Sequence, residues 1–335
     1  MSHSRKFALA AVSLLAGVVL GHTSGQAQEV LRIGGVIYGN HSSVRAIKEV
    51  FVPEVEKNTG GRYTVEIYSN AELGGNAEIV QQTRNGTIFG AFVSSAWVTS
   101  YVPELGAGGL PFLFGSREDA FRTFDSDAAD PVREAMREAG FEPLGFMELG
   151  FRHITTSSKF VTSPEDLAGM RIRLQANPVH METFRLLGAS PVQIDGGELF
   201  AALNQGVADG QENPYTVISM FKLDEAKQKY LSQTGHFYDI LTFIGSKHIL
   251  DKMSEADRNA ILAAAQKATQ LQREYAAEEE DDFRAALLEK GVEMKEITPE
   301  QRAAFQKTTA PLYDTVAEDL GEEFVDEFVA TARGE

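Results

Sequence analysis

Cysteine is absent from all 335 residues. That excludes disulfides, cysteine nucleophiles and thiolate metal sites, and it removes the lipid-modified cysteine that anchors many exported proteins. Positive charge is scarce, because 31 Lys and Arg face 48 Asp and Glu for a formal net charge of −17. So acidic a surface argues against nucleic acid and anionic lipid as partners. A site for an organic anion must therefore supply its own local cation. Cofactor and catalytic signatures are missing too. There is no phosphate-binding P-loop, no His-Glu-x-x-His and no Gly-x-Ser-x-Gly. Gly106-Ala107-Gly108-Gly109 begins like a dinucleotide loop, but Pro111 stands where the third glycine belongs. The seven histidines are scattered without ligand spacing. The pattern calls for no cofactor and no metal.

Long apolar runs are also lacking, with one exception at the amino terminus. Phe7–Leu20 follows Arg5 and Lys6 and leads through small and polar residues to Gly25-Gln26-Ala27. This run is shorter than the roughly 20 apolar residues of a membrane-spanning helix. Its layout is that of a secretory signal peptide over residues 1–27, cleaved to leave a mature start near Gln28. Cleavage removes two cations and no acid, taking the charge to −19. The mature chain has no segment for membrane insertion and no lipid anchor, so it is expected to diffuse freely in an enclosed space such as the periplasm. Its length is near that at which one core divides into two domains.

Strand-like and helix-like segments alternate through the first two thirds. Leu31–Ile37 reads as a strand, Val44, Ile47, Val50, Phe51 and Val55 fall at helical spacing, and Gly60-Gly61 stops that helix before the alternating strand Tyr63–Tyr68. Such a βαβ opening predicts a parallel or mixed sheet with helices on both faces. A helix over about 76–84, a strand over Ile88–Val93, a buried loop at Pro111–Phe114 and a strand over Gly145–Ile154 follow. Ser163-Pro164 then caps a new helical turn, Met170–Leu174 is a short strand, and helices run over Val179–Leu187 and Leu199–Gln205. From Ser254 to Lys290 neither proline nor glycine interrupts the helix formers. A helix of that length spans roughly 50 Å at 1.5 Å per residue, enough to run along two lobes. Its acidic cluster, Glu278 to Asp282, reads as a solvated face, because consecutive helical residues point in different directions.

Polar density gathers in the middle of the chain. Arg152 falls on one strand and Arg173 on another, where Arg171 and Arg173 alternate with apolar neighbours and share a face. A guanidinium facing a cleft suits a bidentate carboxylate contact, and an internal salt bridge suits the same pattern equally well. Asn213 ends the turn Asp209-Gly210-Gln211-Glu212-Asn213-Pro214.

Several ordered motifs carry a family resemblance over essentially the whole mature chain. Gly60-Gly61-Arg62, Leu73-Gly74-Gly75, Leu110-Pro111-Phe112, Thr162–Leu174, Phe184–Val192 and Leu203–Pro214 together resemble the solute receptors of TRAP (tripartite ATP-independent periplasmic) transporters. The resemblance implies an α/β, two-lobed periplasmic binding protein fold with a central cleft and a long carboxy-terminal helix spanning both lobes. Lobe I is expected over 28–151 plus 240–277, and lobe II over 152–239 plus 278–335. It also implies a small organic-acid ligand, integral membrane subunits as partners, and no enzymatic activity. By the same resemblance Arg173 pairs with the ligand carboxylate, Asn213 faces the ligand, and Arg152 with Thr155-Thr156-Ser157 adds a second arginine.

Departures from the sialic-acid receptors bear on the ligand. Where those place an acid, an arginine and an aromatic ring, this chain has Ser94, Trp97 and Gly196, which argues against sialic acid. Trp97, the single tryptophan, is placed to stack on a sugar face or to fill the core. Tyr38, Asn40, His41 and Asp239 at loop positions offer groups that recognise hydroxyls. A hydroxylated acid of sugar size, a uronate or aldonate, is expected. The alternatives are a C4-dicarboxylate, keto acid or amino acid and, more remotely, a periplasmic hydrolase or lyase using His41, His153 or His180 as base.

Overall fold

The computed structural model describes residues 28–37 and 39–335. The expected signal peptide lies outside them, as does Tyr38. Nine strands form one mixed sheet: β1 (Glu29–Gly34), β2 (Tyr63–Tyr68), β3 (Gly90–Ser94), β4 (Phe141–Thr156), β5 (Arg171–Leu174), β6 (Ser190–Gln193), β7 (Gly210–Asn213), β8 (Tyr230–Ser246) and β9 (Glu293–Glu296). The order is β2-β1-β3-β8-β4-β7-β5-β6, with β9 beside the start of β8. The βαβ opening predicted from periodicity is present, and β1 pairs in parallel with both β2 and β3.

Two long antiparallel strands hold the architecture together. β3 joins β8 along Leu241–Gly245, whereas β7 joins β4 along His153–Thr156. Because β4 and β8 run in opposite directions, those contacts sit at opposite ends of one ribbon. One half of the sheet hangs on each end, and the ribbon between them is common to both. Its pairing is interrupted three times, between Pro143 and Gly145, Glu148 and Gly150, and Arg152 and Ile154. At the middle interruption Gly150 takes φ 112°, a conformation that side chains disfavour.

β8 is the element least visible in the sequence. Ser232, Thr234, His236, Asp239, Thr242 and Ser246 are all buried along with its apolar residues. A strand covered on both faces loses the alternation by which strands are recognised.

The long helix runs over Glu255–Glu289 and starts at Ser254, whose Oγ accepts from the Asp257 N–H at 3.1 Å. Ile261, Ala264, Ala265 and Ala268 pack with Leu31, Phe51 and Phe243 of the first half. Leu287, near the other end, packs with Leu199, Ile218 and Leu231 of the second. Midway, Gln272 meets the ribbon: its Oε1 accepts from Glu148 N at 2.7 Å, and its Nε2 donates to Glu148 O at 2.8 Å. The side-chain amide thus supplies a strand-like pair of hydrogen bonds to β4 beside its middle interruption. The acidic cluster is more than a solvated face, since Glu279 pairs with Arg45 and Glu280 with Arg117. After the long helix, Pro311–Leu320 and Glu322–Arg333 fold back, burying Leu312, Val316 and Phe328 in a cluster with Phe124 and Phe141. Among the described residues, no helix is long and apolar enough to cross a membrane.

Candidate functional site

A cavity lies between the two halves of the sheet. Ser94 is the last residue of β3, Arg173 the penultimate residue of β5, and Asn213 the last of β7. All three therefore reach it from carboxyl ends of strands, where open α/β sheets place their ligands. Gln175 and Asn76 complete the polar lining. Val36, Val93, Trp97, Leu149 and Phe221 are among the apolar walls. Among the described lining residues Arg173 is the only charged one.

Arg173 is 2% exposed. Its Nε and Nη2 donate to the carbonyl of Ile194 at 2.8 and 2.6 Å, and it enters no ion pair among the described residues. Burial, reinforced by the positive charge of Arg152, pulls its pKa down to about 10, so it stays protonated at neutral pH. A buried cation with no anionic partner is unfavourable unless something supplies one.

Arg152 differs in this respect. It is fully buried and its Nε donates to Glu212. Nη1 donates to Asp239 Oδ2 at 2.6 Å, and Nη2 reaches Glu212 Oε1 at 2.8 Å and Asn213 Oδ1 at 3.0 Å. Burial works against its charge, but the two carboxylates keep it protonated. The pair does not share that cation equally. Glu212, which receives the fork, is held well below the usual carboxylate range despite burial. Asp239 is pushed up to about 6 by burial, against the pull of Arg152 and Ser94. Ser94 Oγ donates to Asp239 Oδ1 at 2.8 Å and so ties the arginine cluster to the cavity wall. Arg152 and Asp239 thus stand behind the cavity lining, while Arg173, Asn213, Ser94 and Trp97 are part of it.

The remaining candidates are dispersed. Asn40 is exposed in a turn. His41 caps the helix Ser42–Ala46, its Nδ1 accepting from Ser43 N at 3.1 Å, and lines a separate cavity with Glu148 and Tyr215. Burial lowers His41 to about 4 and both His153 and His180 to about 3. None of the three lines the cavity that holds Arg173. His180 lies flat against the Phe237 ring at 3.8 Å, a packing role. Asn76 and Gln175 were missed in the sequence because single amides outside any motif leave no signal. Among the described residues no acidic or histidine cluster could hold a metal ion.

Residues 34–319 match the family model for bacterial extracellular solute-binding protein, family 7. The chain belongs to that family. Its members are the periplasmic solute receptors of TRAP transporters, and they are receptors rather than enzymes. Three solved structures of the family show the likeness. The sugar acid binding protein of Advenella mimigardefordensis, in complex with galactonate, is 28% identical with a TM-score of 0.87, covering 92% of this chain and 98% of that one. A TRAP receptor from Polaromonas bound to D-erythronate is 34% identical at 0.86, covering 90% and 99%. One from Sulfurospirillum deleyianum with bound succinate is 28% identical at 0.85, covering 91% and 99%. The two-lobed fold of family 7 is thus this chain's fold.

Proposed function

We propose that this chain is the periplasmic receptor of a TRAP transporter for a hydroxylated monocarboxylate, an aldonate or uronate in chemical type. Arg173 receives the carboxylate, and Ser94, Asn76, Gln175 and Asn213 receive hydroxyls. The observation behind this reading is the charge pattern of the cavity, one unpaired cation among neutral amides and a hydroxyl. A dicarboxylate calls for a second cation, and an amino acid calls for an anion near its ammonium group. Neither group is among the described lining residues. Galactonate and D-erythronate in two relatives fit the same pattern.

The lobes are proposed to meet near residues 151/152 and 239/240 of the ribbon and to close on the acid by bending there, with the helices after Pro311 folding back on the first lobe. Residues 1–27 are removed on export, and the loaded receptor delivers its acid to integral membrane subunits. The ligand is expected to leave chemically unchanged, as from a receptor of this family.

Calorimetric titration with D-galactonate, D-gluconate, D-erythronate, D-galacturonate, succinate and L-glutamate tests the ligand class. At least one hydroxylated monocarboxylate is expected to bind more tightly than succinate and glutamate. Tighter binding of succinate than of every sugar acid overturns the reading, and turnover of the bound acid, followed by NMR, overturns the receptor role.

A further inference from the structure

The helix Asn76–Arg84 begins after Gly75, which has no side chain with which to cap it. The first N–H groups of a helix need partners, and here one comes from across the cavity. Asp195, just beyond β6 in the other half of the sheet, accepts from Asn76 N through Oδ2 at 2.9 Å and from Asn76 Nδ2 through Oδ1 at 3.2 Å. Glycine at position 75 admits this approach, since a Cβ there would stand 3.1 Å from Asp195 Oδ2. The same carboxylate caps its own turn, Gly197 N donating to Oδ1 at 3.1 Å. Asp195 is outside the cavity lining, whereas Asn76 and Gly196 are in it. The residue before it, Ile194, offers the carbonyl that takes both hydrogen bonds from Arg173. An unbroken chain of contacts therefore leads from the buried arginine to the opposite lobe.

We infer that Asp195 is an interlobe clasp that fastens the closed form and is aligned by Arg173 through Ile194. This rests on the receptor reading above. A carboxylate at a helix N-terminus is favoured by hydrogen bonding and by the helix dipole. In an open form the carboxylate and the helix end face water separately, so the contact stabilises only the closed state. It slows ligand escape and leaves capture unaffected.

Stopped-flow fluorescence of Trp97, the single tryptophan and a cavity residue, gives both rate constants for the tightest-binding acid of the panel. Asp195→Ala is expected to release the acid about tenfold faster, with association within about twofold of wild type. Gly75→Ala, at a position outside the cavity lining, puts a Cβ 3.1 Å from Asp195 Oδ2 and so presses the carboxylate off the helix end; it should do the same. The double variant should be no faster than either single one. Unchanged dissociation in both variants, or a loss confined to association, overturns the clasp. A second measurement needs no ligand. Because the chain has no cysteine, Lys57→Cys and Ser158→Cys place spin labels on exposed positions, one in each lobe. Asp195→Ala should remove the short-distance population from the free protein, and identical distributions count against the clasp. If no acid in the panel binds, the ligand reading fails and the label distances alone judge the clasp.

Discussion

Arg152 and Arg173 are both buried arginines on strands, yet their surroundings give them opposite roles. Arg152 is neutralised by Glu212 and Asp239, whereas Arg173 has only a carbonyl. Removing one partner of a shielded charge pair costs about 2–5 kcal/mol, so Arg173→Ala should weaken acid binding roughly 30- to several-thousand-fold. Arg173→Lys should also lose affinity, because an ammonium lacks the planar fork. Calorimetric titration of both variants checks this, after circular dichroism confirms folding. Arg152→Ala should fail differently: it leaves two buried carboxylates unneutralised and should destabilise the fold by about 3–5 kcal/mol, read by chemical denaturation. A third buried charge sets a pH response. Glu148 is raised to about 7, by burial first and by Glu280, with Arg117 opposing, and its Oε2 has no partner. A carboxyl whose folded pKa is raised adds stability below its unfolded pKa and loses it as pH rises through the folded value. Glu148→Gln should therefore increase the unfolding free energy at pH 8, by on the order of 2 kcal/mol, with little change at pH 4. Denaturation curves at the two pH values decide it. The Arg-Ile-Arg strand was legible through its alternation. The partners of Arg152 lie 60 and 87 residues away, and no local pattern announces them.

At the scale of elements, the long helix illustrates how a legible segment acquires an illegible function. Its extent follows from an unbroken run of helix formers after a serine cap, and the structure begins it at Glu255 and ends it at Glu289. What it does depends on Gln272, whose amide takes both backbone groups of Glu148 beside the interruption in the ribbon. In the sequence Gln272 is one polar residue among many. Gln272→Ala strands a buried N–H and a buried C=O of Glu148, at about 1–3 kcal/mol for each group. Destabilisation of roughly 2–6 kcal/mol in urea denaturation is the expected outcome. Gln272→Glu should lose nearly as much, because a carboxylate cannot donate to the Glu148 carbonyl.

At the scale of the whole molecule, the ribbon of β4 and β8 is the only sheet connection between the halves among the described residues. Its three interruptions and Gly150 are the features on which the proposed bending rests. X-ray scattering of the purified mature protein should therefore show a smaller radius of gyration when saturating acid is added. An unchanged radius would count against closure as the means of capture.

The residue order alone was enough to establish an acidic, cysteine-free α/β chain, the βαβ opening, the long helix and the arginine strand. These rest on local periodicity, composition and caps, which act within a few residues. Folding decided the rest. It made β8 a shared strand despite its lack of alternation, neutralised one arginine and left the other free, drew His41 away from the cavity, and set Asp195 on the opposite helix. Each of these depends on which distant groups share a buried volume, where the loss of water makes an unmatched charge or amide unfavourable. That matching is a property of the packed chain and is written in no single segment of it.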